Sequence, residues 1–151
     1  MDDPVKLFSA LLTPVIAIVT TYIAIQQYRI LKFKIRHELF ERRLSIYKAV
    51  IEYLSAVSRQ NPPADESAIK MFRETADGRF LFKDEVTEYL DQLYKKGIDL
   101  STLNMELQDH TLVGDERIQK VNQRADLKLW LAKQYTVTYE TFKKYLSLNS
   151  K

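Results

Sequence analysis

Residues 7–28 read LFSALLTPVIAIVTTYIAIQQY, and residues 29–36 read RILKFKIR. The first stretch has 22 residues and no charged side chain; the second carries Arg29, Lys32, Lys34 and Arg36. At about 1.5 Å of rise per residue, a helix of that length covers about 33 Å, enough for a hydrocarbon core about 30 Å thick. The apolar core of a secretory signal is shorter and follows a basic segment. Here Asp2 and Asp3 precede the run, and no small-x-small cleavage pattern follows it. The stretch therefore predicts an uncleaved transmembrane helix. Pro14 lies near its start, where a freed carbonyl is easier to satisfy. The alternative is a wholly buried core helix, and a chain of 151 residues has little material to surround one.

The flanks set the orientation. Four basic residues follow the run and only Lys6 lies just before it. Positive charge stays on the cytoplasmic side, so the N-terminus is expected outside and residues 29–151 inside. Two parts follow: 1–28 as tail and transmembrane helix, 29–151 as a cytoplasmic domain.

The whole-chain averages, 46% hydrophobic and 28% charged with a mean hydropathy of -0.29, hide this division. Residues 29–59 carry eight Lys/Arg against three Glu, whereas 60–151 are near balance, 14 basic against 15 acidic. The net charge of +3 is thus a local block after the apolar run and not a basic surface. That block reads first as topogenic, holding the anchor against anionic lipid heads. The other reading is a basic mouth that attracts RNA or selects anions. There are no cysteines, which excludes disulfides, Cys-ligated zinc, iron–sulfur clusters and thiol catalysis.

The run is not uniformly greasy. Ser9, Thr13, Ala17, Thr20, Thr21 and Ala24 recur every three or four residues and share one helical face, while Leu11, Leu12, Val15, Ile18, Val19, Tyr22 and Ile25 cover most of the rest. Small residues let membrane helices approach closely, and hydroxyls can hydrogen-bond across them. Three readings stand: ordinary span composition, a self-association face, or a water-lined pore face.

From Val15 to Asn61 there is no Gly or Pro. Leu31, Ile35, Leu39, Ile46, Val50, Tyr53, Leu54 and Val57 keep helical spacing, so one helix is expected to run to about Arg59. Asn61-Pro62-Pro63 ends it. A second helix opens at Ala64 or Asp65 and runs to about Thr75, before Asp77-Gly78. Arg79-Phe80-Leu81-Phe82 reads as a buried lead-in to a third helix. There Val86, Tyr89, Leu90, Leu93 and Tyr94 share a side, and Ile98, Leu100, Leu103 and Leu107 carry the period across Gly97 to about Gln108. Residues 110–114 form a loop, and Asp115 is expected to cap the last helix. Ile118, Val121, Ala125, Leu129, Tyr135, Phe142 and Leu146 supply its core face. No alternating strand pattern occurs. The expected fold is all-α: an N-terminal transmembrane helix continuing into a cytoplasmic bundle of about four helices, with Tyr47, Tyr53, Tyr89 and Tyr94 in or beside the core.

Chemistry is sparse. Three glycines, at 78, 97 and 114, form no phosphate loop. His37 and His110 are the only histidines, and neither belongs to a metal-ligating pair; both read as surface residues. The HEPN ribonuclease motif is an Arg, four to six intervening residues, then a His. The required positions hold Ile30, Leu31 and Lys32 before His37, and Leu103, Asn104 and Met105 before His110, so the motif is absent. Asp84-Glu85 and Asp115-Glu116 are adjacent pairs at helix starts, suited to the helix dipole rather than to acid–base work. No enzyme activity, metal or cofactor is expected.

The order of segments is informative. The span ending in YIAIQQYRILKFKIRHELFERRLSIYKAVIEYL (22–54), followed by RFLFKDEVTEYLDQLYKKG (79–97), resembles a widespread group of small bacterial single-span proteins. Within that group the chain is similar to the membrane accessory proteins of type VI-B CRISPR systems. The likeness covers roughly residues 7–110. It implies an HEPN-like helical bundle on a membrane anchor, assembled into a homo-oligomeric pore. Such a pore would depolarise the bacterial inner membrane in antiphage defence, in functional link with an RNA-guided RNase. On that reading Ser9, Thr13, Ala17, Thr20, Thr21 and Ala24 line or seal the pore, and Arg29, Lys32, Lys34 and Arg36 form its cytoplasmic rim. Direct nucleic-acid binding is not expected. The alternatives are a membrane-tethered interaction module without conductance and a degenerate HEPN-type ribonuclease.

Overall fold

The computed structural model describes residues 4–59, 64–109 and 112–147, with the backbone alone described at 4–11 and 64–65. Among these residues the chain is all-α: α1 (Pro4–Arg59), α2 (Ala64–Glu74), the single turn α3 (Gly78–Leu81), α4 (Asp84–Gln108) and α5 (Gly114–Phe142). It forms two compact units, Met1–Leu39 and Phe40–Lys151.

The second unit is the bundle. Its core draws Ile46, Val50, Tyr53, Leu54 and Val57 from α1, Ala68 and Met71 from α2, and Val86, Tyr89, Leu90, Leu93 and Leu100 from α4. Leu127, Leu131 and Phe142 of α5 complete it. The α1 and α4 positions are those that the helical period picks out. The α1 stripe, however, enters the core only at Ile46; Leu31, Ile35 and Leu39 are exposed. Gly97 lies inside α4 because the helices meet there. A Cβ at this position would stand 2.4 Å from Tyr53 Oη and 2.9 Å from Ala68 Cβ.

Three local expectations are corrected. Phe80, expected in a buried lead-in, is 89% exposed; α3 is one turn and only Leu81 and Phe82 are half-buried behind it. Asp115 does not cap α5. The cap position is Val113, and Asp115 and Glu116 sit in the first turn, where their charge meets unpaired backbone N–H groups. Gly114, with φ +69°, takes the left-handed conformation that starts the helix.

The third correction is the phase of α5. The buried residues are Leu127, Leu131, Gln134, Thr138 and Phe142. Of the expected face only Phe142 is buried and Leu146, beyond the end of α5, is half-buried, while Ile118, Val121, Ala125, Leu129 and Tyr135 face outward. Two polar residues on the true core face explain the misreading. Gln134 and Thr138 look like surface residues in sequence, yet each is satisfied locally: Gln134 Nε2 donates to Trp130 O (3.1 Å) and Thr138 Oγ1 to Gln134 O (2.7 Å).

The first unit is the N-terminal part of α1. Its backbone is helical across the expected span, Pro14 included, but the side chains of Leu7–Leu11 lie outside the described residues. Among the described residues no helix is long and apolar enough to cross a membrane. From Leu12 onward the apolar residues are diluted by Thr13, Pro14, Thr20, Thr21, Gln26 and Gln27.

Candidate functional site

The segment singled out by the sequence is the N-terminal part of α1. Thr13, Ala17, Thr20, Thr21 and Ala24 are all exposed on it; Ser9 lies outside the described side chains. At about 100° per residue these five positions fall within an arc of about 100°, and Leu12, Val15, Ile16, Ile18, Val19, Tyr22, Ile23 and Ile25 fall within the opposite half, an arc of about 180°. Those eight are all exposed, Ile18 at 70%. Two of the hydroxyls on the small face, those of Thr20 and Thr21, are turned onto their own helix. Thr20 Oγ1 donates to Ile16 O (2.8 Å) with Ala17 O at 3.0 Å, and Thr21 Oγ1 donates to Ala17 O (2.7 Å). Back-bonding of this kind satisfies a hydroxyl where no water is at hand. At the end of the run, Gln26 Nε2 donates to Tyr22 Oη (3.0 Å).

Arg29, Lys32, Lys34 and Arg36 are exposed but do not share the small face. By the same helical arithmetic Lys32 and Lys34 lie about 80° to either side of its centre, while Arg29 and Arg36 lie more than about 100° away. His37 stacks on Phe33, with ring centroids 6.3 Å apart. His110 lies outside the described residues.

Among the described residues the bundle carries three polar clusters. A groove of about 520 Å³ runs between α1 and α2, lined by Glu52, Tyr53, Ser67, Lys70, Arg73 and Glu74 among others. Lys70 Nζ bridges it to Glu52 Oε1 (2.5 Å) and lies 3.9 Å from Glu74; the hydrogen bond to Glu52 raises the lysine above its ordinary pKa. The buried hydroxyls of Tyr53 and Ser67 have no partner among the described residues. Burial alone pushes the Tyr53 phenol up. Across the core, Tyr89 Oη meets Thr138 Oγ1 at 2.7 Å. Burial pushes Tyr89 up to about 12, against the opposing pull of Thr138. At one end of the bundle Arg43 Nε donates to Leu81 O (3.2 Å), and the guanidinium lies over Phe82 (5.9 Å) and Tyr145 (5.7 Å). The Phe82 ring packs edge-on against both Phe142 and Tyr145.

None of these clusters sets a nucleophile against a base, and the described residues hold no group of three or more metal-ligating side chains. The tyrosines are neutral packing groups, and Arg43 ties α1 to the aromatic end of the bundle. Sequence reasoning missed Arg43 and the Glu52–Lys70 bridge because no spacing rule joins residues on different helices. It did single out Ile118, Val121, Ala125 and Leu129, but assigned them to the core. No protein-family model matches the chain, and neither does any curated protein or solved structure. The likeness to the CRISPR accessory proteins therefore rests on the two sequence segments quoted above.

Proposed function

We propose that this chain is a single-span protein of the bacterial inner membrane, its N-terminus outside and its bundle cytoplasmic, that self-associates to form or gate a pore. The observation that carries the membrane part is the exposed apolar surface of the first unit. From Leu12 to Leu39 every large apolar side chain is exposed, and monomeric water-soluble proteins rarely expose contiguous apolar patches beyond a few hundred Å². Lipid, or another copy of the helix, supplies the missing cover. The run of residues 7–28 without charge adds the length needed. In this arrangement Arg29 and Arg36, away from the small face, reach anionic lipid heads at about 1 kcal/mol each. Lys32 and Lys34 are the pair nearest a pore mouth. The antiphage role, beside an RNA-guided RNase, is carried by the sequence resemblance.

A tether without conductance is the second reading, and one observation favours it. The Thr20 and Thr21 hydroxyl protons are spent on their own backbone, which suits a dry, packed helix face as well as a wet one.

Light scattering on the detergent-purified chain, corrected for bound detergent, together with dye release from vesicles tests both readings. A large closed particle that releases dye, and loses release in Thr13→Leu/Thr20→Leu, supports the pore. A membrane-bound particle without release supports the tether. Recovery of the chain in the soluble fraction overturns both.

A further inference from the structure

α5 is apolar on two opposite sides. One side, Leu127, Leu131 and Phe142 with Gln134 and Thr138, enters the core. The other, Ile118, Val121, Ala125 and Leu129, is exposed; Ile118 and Leu129 are 60% and 57% accessible. The spacing of this outward stripe is that of a helix seam, recurring every three or four residues. Its two edges differ in charge. At about 100° per residue, Asp115 and Asp126 with Asn122 lie along one edge, and Arg117, Arg124 and Lys128 along the other. Among the described residues no ion pair joins any of these five charged side chains to another residue; Arg117 donates to Leu112 O (3.4 Å). Asp126 shares a shallow groove with Lys96 but makes no ion pair with it. Lys133, further along, ends the acidic edge.

A seam with one acidic and one basic edge is self-complementary in one orientation. Two copies facing each other in parallel bring the acidic edge of each helix to the basic edge of the other. Antiparallel copies bring like edges together, which is unfavourable. We propose that the outward face of α5 is a contact between two copies of this chain, packed as a parallel, isologous α5–α5 pair with Ala125 at the point of close approach. Such a contact closes at two, so a larger particle would be assembled from these pairs. The inference rests on the self-association part of the proposed function and names the surface that performs it.

The absence of native cysteine makes the test direct. Ile118→Cys and Leu129→Cys are prepared singly in the full-length chain, purified in detergent and oxidised. The two positions are about 16 Å apart along the axis, so only a parallel pair brings each to its own counterpart within the disulfide range of about 4.4–6.8 Å between Cα atoms. Both variants are expected to form disulfide dimers. Gln119→Cys, off the seam, is expected not to. Adding Leu129→Asp to Ile118→Cys should cut its dimer yield at least tenfold, with helix content by circular dichroism unchanged. Cross-linking at only one seam position means an antiparallel contact and overturns the proposal. Cross-linking at neither, in a particle that light scattering still finds oligomeric, overturns the parallel α5 pair and leaves self-association standing. A monomer by light scattering removes both.

Discussion

Tyr53 and Tyr89 are both buried tyrosines of the core, and among the described residues only Tyr89 of the two has a partner for its hydroxyl. Tyr89 Oη is hydrogen-bonded to Thr138 Oγ1 across 2.7 Å, and Thr138 Oγ1 donates its own proton to Gln134 O. The Tyr53 oxygen is pressed towards Gly97 of α4 without a hydrogen bond. A buried unpaired hydroxyl costs about 1–3 kcal/mol, and a typical made bond contributes about 1. Tyr53→Phe is therefore expected to leave the bundle as stable or about 1 kcal/mol more so, and Tyr89→Phe to destabilise it by about 1 kcal/mol. Urea unfolding followed by the fluorescence of Trp130, half-buried on α5, measures both. Gly97→Ala should cost about 1–3 kcal/mol by overpacking. Tyr53→Phe in the same chain should recover part of that loss by removing the atom 2.4 Å from the new methyl; the clash with Ala68 would remain. Both phenols are raised by burial. In the unfolded chain each loses its proton near pH 10, whereas folded Tyr89 holds it to about 12. The folded state thus binds more protons above pH 10, so this stabilisation is complete below pH 10 and is lost between about 10 and 12. A chain with both tyrosines replaced by Phe should show a shallower alkaline fall in urea midpoint.

At the scale of the element, helix boundaries were legible and one helix phase was not. The end of α1 at Arg59, the span of α2 and the continuation of α4 through Gly97 follow from proline placement and the helical period. The phase of α5 does not, because both its faces are apolar enough to read as core. The choice is made by Tyr89 and the α4 surface, which receive Thr138 and Leu131, and such a contact joins residues remote in sequence. The consequence is measurable. Leu131 is 1% exposed and Leu129 is 57% exposed. Leu131→Ala should cost about 2–4 kcal/mol as a buried large-to-small change; Leu129→Ala should stay within about 0.5 kcal/mol in a monomeric state. The reverse order would put the core on the face that the sequence first suggested. Phe80 teaches the same lesson on a smaller scale. An aromatic between Gly78 and Phe82 reads as buried, but a single helical turn points only some of its residues inward.

At the scale of the whole molecule, the two units present opposite surfaces. The bundle buries an apolar core and exposes an apolar stripe along α5; from Leu12 to Leu39 the N-terminal part of α1 buries none of its large apolar side chains. This contrast was legible in the uncharged run before Arg29, because a stretch of that length needs no tertiary partner to be recognised. What the small face does was not legible, since Thr suits a wet face and a dry one equally. Its geometry supplies a way to separate them. Val has nearly the shape of Thr without the hydroxyl, and Thr20 and Thr21 spend their protons on Ile16 and Ala17 carbonyls. If the face is a packed seam, Thr20→Val/Thr21→Val keeps its shape, and particle mass should be unchanged. Thr20→Leu/Thr21→Leu adds bulk where helices must approach closely, and should split the particle. If the face lines water, the Val pair makes the wall apolar, and dye release should fall even though the particle persists. The Val variant thus separates the two roles, because it alters the polarity of the face while leaving its shape in place.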